Sequence, residues 1–278
     1  MGTSKPFNIF NKKDLEIIKF ALFNNFFFHI SITYPVNALI LKYFFKKKNV
    51  KVIAKLLGGE GKIFKLTLKE TLKRFGLKRI HIAQIVCLPT RNFETNSDSS
   101  KIQEYYFLIQ KLQESKKFIN KVYLQIFPTD TLTFIKKVYK DFDGFIFYAN
   151  FKEIFIQKDV YLFINKNKIS VSVISVFGGG NLKNEANLTI KTLSFINKNF
   201  PNGCIPIGRT QDINRLINIK KIIDGQLFDN SLTSNFKFNN DNYYTEEDSN
   251  KFIKEIRVSG YYYSLKHFLK CALKSIFQ

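Results

Sequence analysis

The sequence predicts an α/β fold: a (β/α)8 barrel with a shortened first strand and a C-terminal helical extension. Three observations predict it. Strand-like and helix-like segments alternate from about residue 12 to residue 223. The strand-like runs are apolar on both faces, as strands of a parallel sheet covered by helices are. No GxGxxG follows the first of them, so the common dinucleotide-binding form of the open doubly wound sheet has no support. An open α/β sheet remains the alternative from pattern alone. With 278 residues, 45% of them hydrophobic, the chain can fill one barrel core or two smaller ones.

The elements follow in order. Asn11-Lys12-Lys13-Asp14 reads as a helix start, and Leu15, Ile18 and Leu22 continue it at helical spacing until Asn24-Asn25 breaks it. Residues 26–32 read as a buried strand, 37–45 as a helix and 50–56, "VKVIAKL", as a strand. The glycines of "LLGGEGK" make a loop. A helix over 66–75 carries Leu68, Leu72 and Phe75 on one face and stops at Gly76. The strand 80–88 is closed by Pro89, and a polar loop leads into a helix over 101–114. Residues 121–127 make a strand, and Thr129 or Asp130 caps a helix to about Tyr139. Strands follow at 144–148, 169–177 and 204–207, with helices at 156–164, 186–199 and 212–223. That makes seven strands where a barrel needs eight, so the first strand is expected to be very short and to lie within residues 1–8, or to be absent. From Gly225 the text turns polar, and two further helices are expected near 246–256 and 262–277. The domain reading is a barrel over 1–223 and an appended segment over 224–278.

Composition bounds the function. A net charge of +22 invites a nucleic-acid partner, but Arg occurs at only six positions and the Lys residues are spread along the whole chain. No nucleic-acid dependence is expected. Cys87, Cys204 and Cys271 have no metal or disulfide spacing, so free thiols in a reducing, cytoplasmic compartment and no metal are expected. The most apolar stretch, 21–45, contains Asn24, Asn25, His29, Pro35, Asn37 and Lys42, which argues against a spanning helix. Oligomeric state is not legible.

Barrel active sites lie at the C-terminal ends of the strands. That rule selects His29 and the loop through Tyr34, Lys55, Val86 and Cys87, Gln125, Tyr148 and Asn150, the 177–182 loop and the turn beginning at Gly208. A Lys beside a Tyr favours the phenolate and makes an acid-base pair, although a surface Tyr and a strand-end Lys explain the same residues. His29 in "FFFHISI" reads either as a satisfied core residue or as a hydrogen-bonding partner to substrate. In "PIGRTQDINRL", Gly208, Arg209, Asn214 and Arg215 surround a helix start near Asp212; an anion site and a plain glycine turn with a cap fit equally.

On these residues the chain resembles the aldo-keto reductase family. "LKETLKRFGLKRIHIAQI" (68–85) is similar to the family's helix and fourth strand. "KDLEIIKFALFNNFFFHISITY" is similar to the first helix and second strand, and "VKVIAKL" to the third strand. "KISVSVISVFGGGNL" is similar to the seventh strand, and "NGCIPIGRTQDINRL" to the eighth strand with the helix that grips the cofactor phosphate. The resemblance implies an NADP- (or NAD-) dependent oxidoreductase acting on a small carbonyl compound or sugar. It puts the family's catalytic Tyr on Tyr34 and Lys on Lys55. The Asp position holds His29, and the His position falls on Val86, with Cys87 beside it. The nicotinamide-contacting position falls near Gln125, and Gly208, Arg209, Asn214 and Arg215 fall where the phosphate is held. Two of four catalytic groups are therefore changed. The expectation is a divergent reductase, the alternative a catalytically inactive barrel serving as a binding or scaffold protein.

Overall fold

The computed structural model describes residues 12–32, 35–45, 50–58, 61–86, 99–178, 182, 187–208, 212–224 and 236–239. These fall into two compact units, residues 12–86 with 99–120, and residues 121–239. Parallel strands alternate with helices in both.

The first unit begins with helix α1 (Lys12–Phe23), strand β1 (Phe28–Ile30), helix α2 (Pro35–Phe45) and strand β2 (Val52–Leu57). Helix α3 (Gly61–Phe75), strand β3 (Ile80–Val86) and helix α4 (Ser99–Glu114) complete it. Strand β4 (Ile119–Gln125) starts here and passes into the second unit. There, α5 (Leu132–Val138), β5 (Gly144–Tyr148), the short β6 (Glu153–Ile154), α6 (Lys158–Lys166) and β7 (Val171–Ile174) follow. The unit ends with α7 (Leu188–Asn199), β8 (Cys204–Ile207), α8 (Ile213–Ile223) and the two-residue β9 (Lys237–Phe238).

All seven expected strands form. In sheet order they run β1-β2-β3-β4-β5-β7-β8, the order of the chain. A doubly wound sheet reverses its order at a switch point; a barrel does not. The monotonic order, with β1 parallel to β2 and Phe28 aligned with Val52, therefore makes this a (β/α)8-barrel fold and removes the open-sheet alternative. The expected first strand within 1–8 and the tail helices near 246–256 and 262–277 lie outside the described residues.

Local chemistry sets the boundaries. Helix α3 ends at Gly76, whose φ of 64° lies in the left-handed region, and Leu77 N donates to Leu72 O at 2.9 Å. Helix α5 is capped by Thr131, whose hydroxyl accepts from Phe134 N at 3.2 Å. Thr129 and Asp130 are not the cap. The buried Asp130 carboxylate instead accepts from Phe127 N at 2.8 Å and closes the turn after β4, moving the helix start one residue on. Helix α1 buries Asp14, Ile17, Ile18 and Ala21 rather than the Leu15 and Leu22 of the expected stripe, which are half-buried. Both stripes satisfy helical spacing, and packing chose between them.

In the second unit an aromatic cluster fastens the helices. Tyr161 of α6 and Phe195 of α7 surround Phe200, and Phe147 of β5 meets Phe200 from the sheet at 5.7 Å between centroids. Phe236 and Phe238 join from the segment carrying β9. That segment, inside a stretch read as irregular, pairs in parallel with β6: Lys237 N donates to Lys152 O at 2.8 Å, and Asn239 N to Ile154 O at 2.9 Å.

Candidate active site

In a parallel ladder, aligned residues point to one face and alternate residues share it. Phe28 of β1 meets Phe45 of α2, with 5.3 Å between ring centroids, so its face looks toward the helices. His29, next along the strand, looks the other way. It aligns with Ile53, and Ile53 with Ile82; two residues further, Lys55 aligns with Gln84. His29, Lys55 and Gln84 thus share the face turned away from the helices, at the end where substrates bind in such folds.

The His29 Nε2 and the Gln84 Oε1 lie 2.5 Å apart. Burial drives the pKa of the half-buried His29 down to about 4. The Gln84 hydrogen bond works against this shift, and the positive charge of Lys55 adds to it. His29 is therefore neutral at pH 7. With Oε1 as the acceptor, the proton sits on Nε2, and Gln84 turns its amide nitrogen away from the histidine. Gln84 is buried, Lys55 half-buried. Val86 ends β3 fully buried, and Gly58 N donates to its carbonyl at 2.6 Å. An isopropyl group there can neither donate a hydrogen bond nor polarise a carbonyl. Tyr34 and Cys87 lie outside the described residues.

The second unit holds the other expected positions. Phe147 looks toward the helices, so Gln125, Ile146, Ser172 and Ile205, aligned across β4, β5, β7 and β8, occupy the opposite face. Gln125 is completely buried, and the Ser172 hydroxyl donates to Ile205 O at 2.7 Å. At the C-terminal end of β8, a Cβ on Gly208 would come within 2.5 Å of two Phe177 ring atoms. The Arg215 guanidinium lies 5.1 Å from the centroid of that same ring. Glycine is needed at 208 because Phe177 fills the space, and the ring in turn carries Arg215. The cap of α8 is Asp212, whose carboxylate accepts from Asn214 N at 2.9 Å. An incoming anion would share that helix start with a carboxylate, which weakens the purely amide-based site. Arg209 lies outside the described residues.

The structure thus joins His29 and Lys55 on one face and Gly208 and Arg215 around one ring. Sequence reasoning missed Gln84 and Ser172. The signal for Gln84 was a carboxamide within the apolar run "IAQIV". Among the described residues no group of three or more His, Cys, Asp or Glu could hold a metal ion. Among them, too, no helix is long and apolar enough to cross a membrane.

No family model matches the sequence, and no curated protein matches it. Solved structures do. An aldo-keto reductase from Klebsiella pneumoniae in complex with NADPH superimposes with a TM-score of 0.63 at 9% identity, covering 91% of this chain and 89% of that one. The fold is that of the aldo-keto reductases. A Bombyx mori aldo-keto reductase in complex with NADP gives 0.57 at 14% identity over 82% of this chain and 84% of its own. An aldo-keto reductase from a deep-sea metagenome library of the Medee basin gives 0.57 at 15% identity, covering 92% and 89%. These identities carry the fold to this chain and nothing of activity.

Proposed function

We propose that this aldo-keto reductase-like barrel is a divergent NAD(P)H-dependent reductase acting on a small carbonyl compound or sugar. The observation that carries the reading is the shared face of His29, Lys55 and Gln84 near the C-terminal ends of three adjacent strands. Chains of this fold from Klebsiella pneumoniae and Bombyx mori are known with NADPH and NADP.

The residues present suit a dinucleotide. Gln125 offers a buried carboxamide, and Arg215 a guanidinium lying over the Phe177 ring, 5.1 Å from its centroid. Gln125, Gly208, Arg209, Asn214 and Arg215 would hold the cofactor. When bound, the nicotinamide supplies hydride. Tyr34 gives the proton to the carbonyl oxygen, and the Lys55 cation favours its phenolate afterwards. His29 stands where a carboxylate would otherwise pair with the lysine. Neutral at pH 7, it commits its Nε2 proton to Gln84 and so positions that amide rather than moving a proton itself.

The second reading is a catalytically inactive barrel, favoured by one observation: the buried Val86 at the end of β3 brings no donor to a substrate carbonyl. Titrating the full chain with NADPH and NADH by cofactor fluorescence, then assaying turnover on aldehydes and ketoses, separates the two. Binding with turnover, abolished in Tyr34→Phe and Lys55→Met, supports the reductase. Binding without turnover supports the inactive barrel, and no binding at millimolar cofactor ends the reductase reading. Arg215→Leu tests the cofactor grip. A charge-assisted bond of roughly 1.5–3 kcal/mol corresponds to about 10- to 150-fold weaker NADPH binding.

A further inference from the structure

Lys residues that are scattered in the sequence gather in the fold. The segments that precede the first unit's strands all sit at one end of it. Phe28 N donates to Lys51 O at 2.9 Å, and Ile80 N to Phe118 O at 2.8 Å. Ile53 aligns with Ile82, so Lys51 stands level with Ile80. Arg79 reaches across to Lys116 O at 3.3 Å. Lys51, Lys78, Arg79, Lys116 and Lys117 are all exposed here. None makes an ion pair with a carboxylate among the described residues.

Compositional bias does not account for this. The segments 24–27, 50–51, 76–79 and 115–118 carry these five cations and no Asp or Glu. In the second unit, the segments before β5, β7 and β8 carry Lys140 and Lys168 against Asp141 and Asp143, with no net charge. A uniform bias would have treated both units alike.

Aromatic groups stand among the cations. Phe23, closing α1 on this side, is 79% exposed, and Phe118 is 37% exposed. The Lys51 ammonium lies 5.7 Å from the Phe27 ring centroid, and that of Lys117 lies 5.1 Å from the centroid of Phe118. We propose that this end of the first unit docks on an anionic lipid membrane. Ammonium groups attract the headgroups, and Phe23 and Phe118 enter the interfacial layer.

A single-stranded nucleic acid fits these observations less well. It is gripped by bases stacked on open aromatic faces and by Arg forks on phosphate. Here Lys51 and Lys117 lie over the faces of Phe27 and Phe118, and the one arginine, Arg79, donates to a backbone carbonyl.

The test is co-sedimentation of the full chain with phosphatidylcholine vesicles, with and without about one-third phosphatidylserine. Binding should require phosphatidylserine and weaken with salt. Each lysine near such a surface contributes about fivefold, so Lys116→Gln with Lys117→Gln should lower partitioning about 30-fold. The same charge change on α6, Lys158→Gln with Lys166→Gln, should leave it within about twofold, and Phe23→Ser should reduce it. No phosphatidylserine-dependent binding, or equal losses in both double variants, overturns the proposal. So does single-stranded RNA binding that is lost in the Lys116/Lys117 variant while vesicles are ignored.

Discussion

A change of pH will report directly on His29. Its pKa is about 4 in the folded protein, against about 6.5 in an unfolded chain. Between those values the unfolded state takes up a proton that the native state refuses. The histidine's contribution to stability is therefore complete above pH 6.5 and falls as the pH drops toward 4. For one site with these two pKa values, the loss between pH 7.5 and pH 5 is about 2 kcal/mol. Burial lowers the His81 pKa as well, so wild type must be compared with His29→Asn, which keeps a polar group near Gln84 but cannot ionise. Urea unfolding followed by circular dichroism or tyrosine fluorescence is suited to a chain with 13 Tyr and no Trp. The gap between the two proteins should change by about 2 kcal/mol over that interval, with wild type losing more. Parallel curves from pH 7.5 to 5 would refute the picture of a histidine held neutral by its surroundings.

Two further outcomes follow from packing. Gly208→Ala forces the Phe177 ring away from a Cβ that would sit 2.5 Å from it, and should cost about 1–3 kcal/mol in chemical denaturation, with a matching fall in Tm. The half-buried Cys204 thiol, pushed up to about 12 by desolvation, should react with a thiol reagent at pH 8 far more slowly in the folded protein than in the unfolded one, which a timed absorbance assay with and without denaturant will show.

The strands were legible because they are short, largely apolar runs near Asn, Gly or Pro, and because burial on both faces of most of them removes alternation. What could not be read was which of two good neighbours a polar residue would serve. Asp130 and Thr131 are both fair caps, and only the turn after β4 draws the Asp130 carboxylate to Phe127 N. Gln84 is a single carboxamide in an apolar run, and only the register puts Lys55 beside it and brings the His29 ring within reach. Such pairings join residues 29 and 55 positions apart, and no local periodicity encodes them. The family likeness has no expectation for a chain whose histidine stands on β1 and whose β3 ends in valine. The spread of Lys along the sequence hid its gathering at one end of the first unit for the same reason.

The pairing of β9 with β6 also bears on how the protein is made. Asn239 and Glu153, held 3.5 Å apart, are separated by 86 residues, so the aromatic cluster around Phe200 is still missing Phe236 and Phe238 long after α6 has left the ribosome. Long-range closure of this kind comes late and slowly. During synthesis Tyr161, Phe195 and Phe200 stand partly uncovered, a sticky surface that a chaperone can grasp. A premature stop before residue 236 would make that temporary exposure permanent and turn a nearly complete barrel into a substrate for degradation.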